Sequence, residues 1–136
     1  WIGVTIFLLV LIRLAWRVTH RPPPAPASMP AWQHSAAKIA HFFLYALTLC
    51  IPISGWLMSS ASGFQVVYLG MLPIPDLLGK SKALADQLKQ LHEALNWLML
   101  LVVALHVAAA LKHHLVDRDD VLWRMLPLLK QRSASK

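Results

Sequence analysis

The stretch LHEALNWLMLLVVALHVAAALKHH, residues 91–114, places His92 and His106 in a run that is otherwise largely apolar. About 20 apolar residues are enough for a helix to cross the ~30 Å hydrocarbon layer of a membrane. Polar side chains inside such a span are costly, and by default they face the interior of a helix bundle, where they find partners. The stretch therefore predicts a membrane-spanning helix whose two histidines face neighbouring helices.

The composition of the whole chain also indicates a membrane protein. Of its 136 residues, 57% are hydrophobic and only 14% are charged, which is too apolar for a soluble domain of this size. We expect an all-α integral membrane helix bundle that forms one domain over 1–136. Its spans are predicted at about 1–19, 36–58 and 88–113.

Two connections separate the spans. The segment HRPPPAPASMP contains too many prolines for a helix, so we expect an extended linker at 20–31. The outer loop at 59–80 has apolar residues, which are Phe64, Val66, Val67, Tyr68 and Leu69. We expect this loop to lie over the bundle, because those side chains would otherwise be exposed. Ser81 is placed to cap the helix that follows, and 127–136 is predicted to be a tail.

The distribution of the thirteen Lys and Arg residues indicates topology. Ten lie around the first connection or after the last span, whereas the outer connection holds only Lys80, Lys82 and Lys89. The positive-inside rule therefore places the C-terminus of this multi-pass protein in the cytoplasm. Cations grouped at membrane boundaries indicate membrane lipid as the surrounding partner, and no nucleic acid is expected.

The first span is short, because only twelve residues precede Arg13, and these extend roughly 18 Å as a helix. The chain opens on Trp1 inside an apolar run without a basic start, which is unlike a signal peptide. We expect that helical sequence is missing upstream of Trp1.

The spacing of the two histidines restricts what they bind. They are fourteen residues apart, which at ~100° and ~1.5 Å per residue puts them on one helix face, about 21 Å apart along the axis. One metal ion cannot be shared across that distance. A pair of haems fits it, each taking one axial nitrogen from this helix and one from a neighbour. The alternative is that either histidine only hydrogen-bonds within the bundle.

His41 and Cys50 are two further candidates for a role in metal binding. His41 is expected near the depth of His106, where it is a second haem ligand, a proton-handling group or a structural hydrogen-bonding residue. Cys50, the only cysteine, cannot form an internal disulfide and is expected to be a small buried side chain.

The chain resembles the prokaryotic cytochrome b561 family, in particular its superoxide oxidase branch. The similarity covers almost all of it, through GVTIFLLVLIRLAWRVTHRPPPAP, AHFFLYALTLCIPISGW, LKQLHEALNWLMLLVVALHVAAALKHH and DDVLWRMLP. The most specific part is His92-x13-His106 followed by AAALKHH. The resemblance implies four helices, of which three are present here, and two haem b groups with bis-histidine ligation.

The resemblance also implies roles for residues. His92 becomes an axial iron ligand of the outer haem and His106 of the inner haem, with the opposite ligands on helical sequence upstream of Trp1. The implied function is electron transfer between the periplasmic side of the bacterial inner membrane and the ubiquinone pool, as a superoxide:ubiquinone oxidoreductase. Lys80, Lys82 and Lys89 are then candidates for attracting superoxide.

Two other functions stay open at this point. The first is a b-type cytochrome subunit that serves a separate redox partner. The second is a non-redox membrane anchor or proton-relay protein that uses His41, His92 and His106, and it predicts no haem spectrum.

Overall fold

A computed structural model describes residues 1–20 and 30–117, and these are mainly helical. The three α-helices are α1 (Ile2–Thr19), α2 (Ala31–Ser62) and α3 (Lys82–Lys112). A π-helical turn at His113–Asp117 follows α3 directly. Most of the predicted linker at 20–31 and the whole predicted tail at 127–136 lie outside the described residues.

Within the described part of the chain, α1, α2 and α3 are all long and apolar enough to cross a membrane. This confirms the predicted all-α membrane helix bundle. With 32 and 31 residues, α2 and α3 extend about 48 and 46 Å, which exceeds the ~30 Å hydrocarbon layer. Both helices therefore begin earlier than the spans predicted at 36–58 and 88–113, because helical hydrogen bonding continues beyond the membrane boundary.

Small side chains line the contact between α2 and α3, which pack on each other more extensively than α1 packs on α2. Ser54 and Ala61 of α2 and Ala85 of α3 are buried. In lipid, helices associate mainly through close packing, which small residues allow. Large apolar side chains point outward instead, and Trp97 is 72% exposed. Such a surface suits lipid tails rather than water.

The end of α2 is defined by Gly63, whose φ of 77° is the left-handed conformation common after helices. Its backbone N–H donates to the Ser60 carbonyl at 3.0 Å. A side chain here would also collide with Lys80, because a Cβ atom would lie 2.9 Å from the Lys80 Cδ. Gly63 therefore ends the helix, and its lack of a side chain leaves room for the Lys80 side chain.

The connection between α2 and α3 contains two short antiparallel strands, β1 (Val67–Tyr68) and β2 (Leu72–Pro73). The Thr5 hydroxyl of α1 donates to the Tyr68 hydroxyl at 3.3 Å. Trp56 Nε1 donates to the Pro75 carbonyl at 3.2 Å. These bonds join the loop to α1 and α2.

The loop covers the bundle less completely than predicted. Val66 and Tyr68 are partly buried, but Phe64 and Leu69 are exposed, as is Val67 to a smaller extent. The hydrogen bonds anchor the loop through polar atoms, so its apolar side chains do not all need to turn inward.

The start of α3 agrees with its prediction except for the cap. Ser81 directly precedes the helix, but its side chain makes no capping hydrogen bond. Instead its backbone N–H donates to the Ala61 carbonyl at 2.9 Å. This bond brings the first turn of α3 against the last turns of α2.

Candidate functional site

His92 of α3 lies against α2 at a place where the α2 backbone allows a close approach. Its Nδ1 is 2.9 Å from the hydroxyl of Ser54, which is buried. The next residue, Gly55, faces the imidazole directly, and a Cβ atom there would lie 3.2 Å from the His92 Cε1. The imidazole is therefore held by one hydrogen bond and fitted against a residue with no side chain.

A cavity of about 640 Å³ adjoins His92 between the start of α1, the second half of α2 and α3. Its volume is within the ~300–1,000 Å³ range of cofactor and small-molecule pockets. The lining is mainly apolar, and its members include Ile2, Val4, Ile6, Ile51, Met58 and Val66. Asn96, one turn beyond His92, also lines the cavity, but its amide donates to the His92 carbonyl at 2.7 Å. Asn96 thus acts here within its own helix.

These residues fit a haem group on geometric grounds. Nδ1 of His92 is engaged by Ser54, and its Nε2 makes no hydrogen bond with the residues that the structure describes. A ligating histidine uses one ring nitrogen for the metal and holds the other in a hydrogen bond. No group of three or more His, Cys, Asp or Glu side chains within the described ranges could hold a bare metal ion. The cavity therefore offers a single imidazole in apolar surroundings.

His106 also faces α2, so the two histidines share the α3 face that was predicted from their spacing. Its partner is His41, with the two ring centroids 5.3 Å apart and the planes inclined by 61°. Both rings are partly buried. This contact places His41 beside His106 at the same depth, as was expected from the sequence.

A cationic cluster that sequence reasoning missed lies one turn from His41. Arg13 Nε of α1 donates to the Tyr45 hydroxyl at 3.4 Å, and the guanidinium carbon of Arg17 lies 5.4 Å from the centre of the Tyr45 ring. Contacts of this kind contribute roughly 0.5–1 kcal/mol at exposed sites. The sequence feature that could have predicted this cluster is the four-residue spacing of Arg13–Arg17 and of His41–Tyr45, which puts each pair on one helix face.

The three candidate lysines differ in their surroundings. Lys82 forms an ion pair with Asp86 at 2.9 Å, and Lys89 lies 3.9 Å from Glu93. Lys80 forms no ion pair with any residue in the described ranges, and its side chain lies along Gly63. Lys80 is therefore the candidate whose charge is least compensated.

Cys50 corrects an expectation. It was predicted to be a buried small side chain, but it is exposed on the outside of α2. Helical periodicity does not explain this, because Leu47 and Ser54, which are buried, lie three residues before and four residues after Cys50 and so on the same side of α2. The Cys50 thiol does not line the cavity beside His92.

Comparison with known proteins gives consistent matches. The model of the prokaryotic cytochrome b561 family matches residues 1–128. Cytochrome b561 homolog 2 of Escherichia coli K12 is 39% identical, over 92% of this chain and 66% of that protein. Cytochrome b561 homolog 1 of the same organism is 31% identical, over 94% and 72%. A probable superoxide oxidase of Yersinia pestis is 30% identical, over 92% and 70%. The chain thus spans about two thirds of the length of these relatives.

Proposed function

The chain belongs to the prokaryotic cytochrome b561 family, and from this membership we propose that it carries electrons through two haem b groups held by His92 and His106. Family membership makes it a b-type membrane cytochrome of a bacterial membrane. We further propose that it transfers electrons from superoxide on the periplasmic side to ubiquinone, with its C-terminus in the cytoplasm.

The observation that carries this proposal is the setting of His92. Its Nδ1 is held by the buried Ser54 hydroxyl at 2.9 Å, and the ring lines a mainly apolar cavity of about 640 Å³. A histidine that served only as a hydrogen-bonding residue would not need an adjoining cavity of cofactor size. Ligation through Nε2 uses both features.

His106 is the proposed ligand of the second haem, because it lies on the same face of α3 about 21 Å away along the axis. We propose that His41 is its neighbour and not the opposite ligand. A haem held by both histidines would have to lie between their two rings. The centroids of His41 and His106 are 5.3 Å apart and the rings meet at their edges, which leaves no room for a haem between them.

Each haem in this proposal takes its opposite ligand from the rest of the intact cytochrome. The relatives are roughly a third longer than the chain, and their aligned parts make up 66–72% of their length. The start of α1, where Trp1 and Ile2 line the cavity beside His92, is where such additional helical sequence would meet the outer haem.

Haem b supplies reversible one-electron transfer at its iron. His92 and His106 would hold the two haems at different depths along α3, and the cavity beside His92 is lined mainly by apolar side chains. In the proposed reaction, two superoxide anions each lose one electron and become dioxygen. One ubiquinone takes both electrons and two protons and becomes ubiquinol.

Of the three lysines in the outer connection, we propose that Lys80 attracts the superoxide anion most strongly. An uncompensated positive charge raises the local concentration of a small anion. Lys82 and Lys89 contribute less, because each already has a carboxylate partner in Asp86 or Glu93.

The test uses the intact cytochrome in detergent with ubiquinone and an enzymatic source of superoxide. We expect haem reduction followed by ubiquinol formation, at about one ubiquinol for every two superoxide anions consumed above the uncatalysed rate. The proposal would be contradicted if dithionite reduced the haem but the haem exchanged no electrons with superoxide or ubiquinol. It would favour the second function, a b-type subunit for a separate redox partner. The third, a non-redox anchor or proton relay, is disfavoured by membership in a cytochrome family.

A further inference from the structure

Ser54 makes two hydrogen bonds, and together they determine which ring nitrogen of His92 carries the proton. Its Oγ lies 2.8 Å from the carbonyl oxygen of Ile51 and 2.9 Å from the His92 Nδ1. Ser54 is only 4% exposed, so water does not readily replace either partner. The same oxygen therefore connects the α2 backbone to the imidazole.

A hydroxyl group has one proton to donate, and a carbonyl oxygen can only accept. Ser54 must therefore use its proton for the Ile51 carbonyl, since that bond has no other donor. Its lone pair is then left for His92, and Nδ1 must be the donor in the second bond. A neutral imidazole with its proton on Nδ1 carries its free lone pair on Nε2.

We propose that Ser54 is a positioning residue that holds His92 in the tautomer that binds metal through Nε2. Gly55 completes the arrangement, because its missing side chain leaves room for the ring in this orientation. The inference rests on the proposed role of His92 as a haem ligand, which it deepens. It adds that the Ser54 hydroxyl orients His92, and that the Ile51 carbonyl of α2 in turn orients the Ser54 hydroxyl.

The hydrogen bond has a second consequence for the haem on His92. When Nδ1–H donates to an oxygen, the imidazole becomes a stronger electron donor at Nε2. Stronger donation stabilises the ferric state more than the ferrous state, so the reduction potential of that haem is lowered. His106 contacts the His41 ring instead of a serine, so Ser54 tunes only one of the two haems.

The experiment replaces Ser54 in the intact cytochrome, as Ser54→Ala, and follows each haem by potentiometric titration and by the electron paramagnetic resonance signal of the ferric protein. We expect a more positive potential and a displaced signal for the haem on His92. Retention of this haem should weaken by about tenfold or more, which is typical when the partner of a ligating histidine is lost. The haem on His106 should be unchanged, which shows that the variant is folded.

Ser62→Ala is the matched control. Ser62 also lies on α2 and its hydroxyl donates to a helix carbonyl, that of Met58 at 2.7 Å, but within the described residues it forms no hydrogen bond with a histidine. It should leave both haems unchanged. If Ser54→Ala leaves potential, signal and haem retention as in the parent, the inference is overturned while His92 remains a ligand. If His92→Ala keeps the full haem content, the proposed function itself fails.

Discussion

The imidazole rings of His41 and His106 meet at their edges across the contact between α2 and α3, with their centroids 5.3 Å apart. A residue that touches the proposed iron ligand His106 in this way would affect the haem without being needed to hold it. Of the three roles that the sequence left open for His41, we propose on this basis that it is not a haem ligand.

Replacing His41 tests this separation. In His41→Gln we expect the haem content of the intact cytochrome to stay unchanged, because we propose that His41 is a neighbour of the ligand and not a ligand itself. The potential of the haem on His106 should shift, since a ring packed on its ligand is lost. Haem analysis with potentiometry measures both, and His34→Gln, also on α2, is the control. Loss of about one haem per chain would instead identify His41 as a ligand.

Gly55→Ala tests the close approach of His92 to α2. The added Cβ would lie 3.2 Å from the His92 Cε1, so the ring must shift by a few tenths of an ångström. Overpacking of this kind costs about 1–3 kcal/mol. We expect weaker retention and an altered resonance signal for the haem on His92 only.

Gly79→Ala is the control for that substitution, because a Cβ atom at Gly79 meets nothing within 4 Å. Equal behaviour of the two alanine variants would show that His92 does not depend on the space at Gly55.

The arginines around Tyr45 should influence the haem on His106, which lies near the same end of the bundle as His41. Positive charge near a haem favours the reduced, less positive state. We therefore expect the combined replacement Arg13→Gln with Arg17→Gln to lower the potential of that haem, by an amount that decreases with added salt. Potentiometric titration at two ionic strengths measures it, and Lys82→Gln, near the other end of α3, is the control. A rise in potential would contradict the argument.

The outer lysines give a prediction about rate. Lys80→Gln should slow the reduction of haem by superoxide, by less than about tenfold. Lys82→Gln should have a smaller effect, because Asp86 already compensates its charge at 2.9 Å. Rapid-mixing absorbance at low and high salt distinguishes the variants. If neutralising Lys80, Lys82 and Lys89 together leaves the rate of haem reduction and its salt dependence unaltered, these lysines do not attract superoxide.

The sequence was sufficient to predict which side chains face the same way along one helix. The fourteen-residue spacing of His92 and His106 put both on one face of α3, and in the structure both do face α2. The start of α3 after Ser81 was also predicted correctly. These features depend on helical periodicity, which is local to the chain.

Contacts between helices were not predictable in the same way. Ser54 and Gly55 lie inside α2, and nothing in their residue types points to a histidine partner, yet they form the contact surface for His92. Their role depends on the register and rotation of α2 against α3, which no local pattern fixes. The same limit applies to Cys50, whose residue type suggested burial although the thiol is exposed.

The haem content of the intact cytochrome and of its His92→Ala and His106→Ala variants tests the central claim most directly. The measurement is a haem-to-protein ratio together with the dithionite-reduced visible spectrum of each purified protein. We predict about two haem b groups in the parent and about one in each variant, with a different spectrum remaining in the two cases. Full haem content in either variant would contradict the assignment of that histidine as an axial ligand.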